Sequence, residues 1–203
     1  MSFTIKKVGV LASVLASAAI YSSTASAITV DFTGGGGNIG TTAAFNAGFV
    51  DVSSTGTPAG ALSQDVDGLG VIGTADADEI NGFEAITVMF DQAVNINSIT
   101  VDDLWLDRGD VGASYQINGA GPLTSIAAVN NFASGSPTVA AYAPALMNVT
   151  SLTFFSGAQN SPARGYALRA IDYDVAVAAV PVPAAFWLLG SAMVFLFRKR
   201  KVS

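Results

Sequence analysis

The chain has no cysteine and no histidine, and only 12% of its 203 residues are charged. There is thus no thiolate or imidazole to ligate zinc, haem or an iron–sulfur cluster. Nucleophile–histidine catalysis and ordinary imidazole acid–base chemistry are excluded for the same reason. No disulfide can staple the fold, so a core must hold it. Cations are scarce as well, and their placement is uneven. Between Ile28 and Val180 only Arg108, Arg164 and Arg169 are basic, while all fifteen acids lie there, a net charge of −12. Neutralising phosphates needs clustered Lys and Arg, so the middle of the chain is no nucleic-acid partner.

The remaining cations mark the two ends. Lys6 and Lys7 precede an uncharged apolar stretch, Val8 to Ile20, and a small-residue exit, Tyr21 to Ala27. Ala25-Ser26-Ala27 fits the small-x-small pattern accepted by a signal peptidase, which predicts a secretory signal over residues 1–27 cut after Ala27. Thirteen residues rich in Ala, Ser and Gly are too few to span a bilayer well. At the other end, Val175 to Phe197 carries no charge, and Arg198, Lys199, Arg200 and Lys201 follow abruptly. Pro181 and Pro183 cannot lie within a helix, so residues 176–183 read as a linker and a helix starts at Ala184. Residues 184–197 span about 21 Å as a helix, short of the roughly 30 Å hydrocarbon core. Snorkelling of the cations in the 198–203 tail makes up part of the difference. Trp187 suits an interfacial position near the outer end. Positive flanks stay in the cytoplasm, so both basic ends are expected inside and the acidic middle outside the inner membrane.

Three ordered parts now stand at the C-terminus: Val180-Pro-Val-Pro-Ala184, a short apolar helix containing Phe186 to Ser191, and a terminal Arg/Lys cluster. Together they resemble the PEP-CTERM sorting signal, in the variant whose motif reads Val-Pro-Leu-Pro-Ala. Val182 stands where the family's name carries Glu, and the variant accepts an apolar residue there. The resemblance covers about the last 24 residues. It implies a membrane-embedded cysteine protease of the exosortase type as partner, acting near Val180, Pro181, Val182, Pro183 and Ala184. It also implies an exopolysaccharide-producing, biofilm-forming Gram-negative bacterium. Two fixed φ angles keep the chain extended outside the helix, where a protease can lay it across a cleft.

The middle segment, residues 28–175, lacks any long 3.6-residue apolar period. Short alternating runs dominate: Ile86, Val88 and Phe90; Val94 and Ile96; Ile99 and Val101; Ser114 to Ile117; Val149 to Phe155; and Arg169, Ile171, Tyr173 and Val175. Clusters of Gly, Asn, Asp and Pro separate them. The pattern predicts one all-β domain, an antiparallel β-sandwich of jelly-roll type, between the signal peptide and a single transmembrane helix.

Three features of that domain could carry chemistry. Asp65, Asp67, Asp76, Asp78, Glu79, Glu84, Asp102, Asp103, Asp107 and Asp110 lie in loops able to supply calcium ligands, but none forms an EF-hand or β-roll motif. A solvated acidic surface is the competing reading, so no cofactor is expected and structural calcium stays an alternative. Trp105 is the one tryptophan of the domain, with Tyr115, Phe132, Tyr142 and Tyr166 as further rings for stacking on a sugar. Sheet packing accounts for such rings equally well. No local motif selects a catalytic carboxylate pair. The expectation is therefore a non-catalytic protein of the cell surface or extracellular matrix, with a carbohydrate-binding module, and extracellular polysaccharide as its partner, as the alternative.

Overall fold

The structure, a computed structural model, describes residues 26–56, 60–73, 79–105, 112–128, 135–156 and 165–176. The expected signal helix, the Pro-Val-Pro linker, the 184–197 helix and the basic tail lie outside these residues, apart from Ser26, Ala27 and Ala176 at their margins. Among the described residues no helix is long and apolar enough to cross a membrane.

Among the described residues, eleven strands form one antiparallel network: β1 (Ile28–Asp31), β2 (Asn38–Gly40), β3 (Thr42–Phe45), β4 (Val50–Gly56), β5 (Ala61–Gln64), β6 (Leu69–Ile72), β7 (Glu84–Asp102), β8 (Ala113–Ile117), β9 (Ala120–Ile126), β10 (Thr138–Ser156) and β11 (Ala167–Val175). A 3₁₀ turn, Asn46–Gly48, joins β3 to β4. The all-β, antiparallel expectation holds. All strands belong to one continuous ladder, carried by two strands of 19 residues each, β7 and β10.

The first half of β7 alternates as its sequence demands. Ile86, Val88 and Phe90 are buried while Met89 points to solvent. This half pairs with β4, from Glu84↔Gly56 to Phe90↔Val50, and with the end of β10, from Ala85↔Phe155 to Met89↔Ser151. Its second half has other neighbours, β11 from Asp102↔Ala167 to Val94↔Val175 and the start of β10 from Val101↔Thr138 to Ser98↔Ala141. Register shifts between Ala141 and Ser151 and at two points along β11 bend the ladder where the two halves meet.

Bending brings side chains of the two halves into contact. Tyr173 of β11 stacks on Phe49 beside β4 at 5.7 Å and meets Phe90 of β7 at 5.3 Å. Tyr115 of β8 meets Tyr142 of β10 edge-on at 6.3 Å. Phe154, Leu152, Ile96, Ile99, Leu62 and Leu69 fill the space between and are fully buried. At roughly 1.5–3 kcal/mol for each large side chain removed from water, this core supplies the stability that no disulfide provides. The β8–β9 corner is fastened by Asn118. Its side-chain oxygen accepts from the Thr150 N–H at 2.7 Å and the Ser151 N–H at 3.1 Å.

Candidate functional site

Asp65, Asp67, Asp102 and Arg169 gather where β5, β6, β7 and β11 meet. Leu168↔Val101 pairing and the bulge that follows bring Arg169 beside Asp102. The Arg169 Nη1 donates to Asp102 Oδ2, and Asp102 Oδ1 accepts from the Asp103 N–H at 3.0 Å. Asp102 is buried, so this pairing is what lets a charge sit there. Asp65 caps the β5–β6 turn, its Oδ1 accepting from the N–H groups of Asp67 at 2.9 Å and Gly68 at 3.1 Å. Asp67 completes the group. Partial burial pushes its carboxyl above the usual value, the negative charges of Asp102 and Asp65 push it further, and Arg169 opposes them.

Three acids and one Arg leave this corner negative, yet among the described residues no group of three or more acids is arranged to hold a metal ion. Glu84 is buried and serves a turn, its Oε2 accepting from the Asn81 N–H at 3.0 Å. Asp76, Asp78, Asp107 and Asp110 lie outside the described residues.

The rings proposed for stacking on a sugar are mostly taken by the core. Tyr115 and Tyr166 are each 1% exposed. The Tyr166 hydroxyl donates to the Phe155 carbonyl at 3.0 Å, and burial raises its pKa far above the ordinary phenol value. Tyr142 is half-buried, its pKa raised by burial and by its hydrogen bond with Tyr115. Trp105 is half-buried at a single bridge position, next to Leu104, which is buried. Phe132 lies outside the described residues. A shallow depression of about 350 Å³ opens instead on the outer face of β3, β4 and β7. Thr42, Ala44, Asp51, Ser53 and Met89 line it, one carboxylate and no ring. Neither the acid corner nor the depression brings two carboxylates together across a cleft.

Ala27 is exposed immediately before β1, while Ala25, the Val180 to Ala184 motif, Trp187 and the Arg198 to Lys201 cluster lie outside the described residues. What sequence reading missed is the Arg169–Asp102 pair. Its signal was present: Arg169 opens an alternating run as one of three cations among fifteen acids, and a cation on the face of buried residues needs an anionic neighbour. Comparison with protein-family models, with curated proteins and with solved structures finds no match for the chain.

Proposed function

We propose that the chain is an exported, non-catalytic protein of the cell surface or extracellular matrix of a Gram-negative bacterium. A secretory signal over residues 1–27 starts its export, and a PEP-CTERM-like signal over Val180 to Lys201 holds it in the inner membrane until an exosortase-type protease cuts. The domain between is a jelly-roll-like sandwich whose layers share β7 and β10.

The observation that supports this reading most is the pairing of the first strand with the last. Ile28 lies opposite Tyr173 and Asp31 opposite Ala170. The chain therefore joins and leaves the domain at the same end. A precursor held by both ends needs that geometry, because a single membrane must meet both segments without pulling the ladder apart. The acidic domain suits the outer side, since its −12 charge resists retention among anionic lipids and keeps it soluble.

Replacing Pro181 and Pro183 together with Ala tests the sorting step. Two helix-compatible residues let the 184–197 helix grow outward and remove the extended segment that a protease binds. The expected result is an uncut protein retained in the inner membrane. Release as efficient as that of the unaltered chain would overturn the reading.

A further inference from the structure

Near its end, β11 turns Asp172 and Asp174 to the outer face, while Ile171 and Tyr173 between them are buried. Of the four carboxylate oxygens, three have donors. Asp172 Oδ1 accepts from the Thr29 hydroxyl of β1, and Asp172 Oδ2 accepts from the Ser98 hydroxyl of β7 at 2.5 Å. Asp174 Oδ2 accepts from Asn97 Nδ2 of β7 at 3.0 Å. Asp174 Oδ1 is shielded from solvent and has no donor among the described residues. A carboxylate oxygen held that way is costly until a donor reaches it.

Beside Asp174 stands the start of the first strand. Ile28 lies opposite Tyr173 and Thr29 opposite Asp172. Continuing that register by one residue sets Ala27 opposite Asp174, so the Ile28 nitrogen lies between the Tyr173 and Asp174 positions. Cα atoms of facing residues are about 4.5–5.5 Å apart, a span that an aspartate side chain covers. In the uncut chain this nitrogen belongs to a neutral amide. A cut after Ala27 turns it into an α-ammonium group, positively charged at neutral pH. Ser26 and Ala27 are exposed, so the bond to be cut is not packed against the domain.

We infer that the end of β11 is a site for the chain's own new N-terminus: the Ile28 α-ammonium pairs with Asp174 Oδ1, with Asp172 beside it, and fastens β1 once the leader is gone. The inference rests on the proposed cut after Ala27 and gives that cut a structural consequence. The charged groups around Ile28 favour the pair. β11, the strand that pairs with β1, supplies Asp172 and Asp174, and its Tyr173 hydroxyl is engaged by Asn46. β1 itself supplies Asp31, and the nearest cation of β11, Arg169, is held by Asp102. The facing stretch of β7 offers Asn95, Asn97 and Ser98, none of them charged.

Two chains ending at Ser203 test this in detergent, one beginning at Ile28 and one at Thr24, each freed from an N-terminal fusion by a protease that leaves no extra residue. Four extended residues carry the positive charge about 13 Å away, beyond the roughly 10 Å over which it is felt at 0.1 M salt. At about pH 6.5 the chain beginning at Ile28 melts about 1–4 °C higher than the other. Pairing raises the folded pKa of the ammonium, so its stabilisation is complete below the unfolded value of about 7.7–8.0 and is lost as pH rises through the folded one. The difference therefore vanishes near about pH 10. Asp174→Asn in both chains also removes it. Should that variant fail to fold, acetylation of the Ile28 amine in the unaltered chain, followed by mass spectrometry, reads the same pair. Its half-point lies above about pH 8.5, against about 7.7–8.0 for an ordinary α-amino group. Equal melting at the lower pH, a difference that persists at the higher one, or an ordinary half-point overturns the site alone. A natural first residue other than Ile28 overturns the cut, and with it the role of the site in export.

Discussion

Asp67 shows how the acid corner sets its own charge state. Its carboxyl is pushed up by burial first and by Asp102 and Asp65 second, with Arg169 opposing. The folded chain therefore holds the Asp67 proton over a range above the ordinary 3.8, where the unfolded chain has lost it. Stability from this group is present below that range and falls as pH rises through it. Asp67→Asn removes the charge that the corner disfavours. At pH 7 the variant should melt higher than the unaltered chain, by less than about 1 kcal/mol because Asp67 is partly solvated. Near about pH 2, with Asp67 protonated in both states, the two should melt together. Thermal melts at the two pH values check this, and a lower midpoint for the variant at pH 7 would contradict it. Tyr173 carries a different load. Its ring bridges both halves of the ladder, and its hydroxyl accepts from Asn46 Nδ2 at 2.8 Å.

Among the described residues, the β5–β6 hairpin has a narrow attachment to β11. β6 meets β11 only through Leu69↔Leu168, and Gly68 precedes that contact with φ +139°, in the region that favours glycine. A Cβ on Gly68 would run into the Leu168 carbonyl oxygen. Gly68→Ala is expected to cost more than about 2 kcal/mol through combined backbone strain and steric conflict. Amide exchange should rise first in Ala61 to Ile72. An unchanged melt and unchanged exchange would contradict this account of the turn. Gly68 also illustrates what a sequence shows and what it conceals. The strands ending at Ile117, Phe155 and Val175 were legible because their apolar residues alternate. The continuity of β7 was hidden, since Asn97-Ser98 looks like a break between two alternating runs. Asn95 pairs with Asp174 of β11, and Ser98 pairs with Ala141 of β10 and Asp172 of β11, which holds this stretch extended regardless of side chain. The start of β10 was hidden too, because Ala140, Ala141 and Ala143 have little intrinsic β preference and only tertiary pairing makes them a strand. The acid corner could not be assembled from spacing, for Asp65, Asp102 and Arg169 come from strands that only the ladder brings together.

For the whole molecule, charge and connectivity agree. Acids occupy the strands and loops before Val111 and after Ala163, the stretch between is uncharged, and basic residues cap the two ends of the chain. The paired terminal strands return both ends to one place, β1 beginning at Ile28 and β11 ending at Val175. On the proposed reading, the domain is threaded outward from one membrane and then freed by two cuts that leave the core intact. Mass spectrometry of both termini of the protein recovered outside the cytoplasm tests this most directly. The account predicts a first residue of Ile28 and a last residue at or next to the Val180 to Ala184 segment. An intact chain from Met1 to Ser203, dissolved in the cytosol, would contradict it.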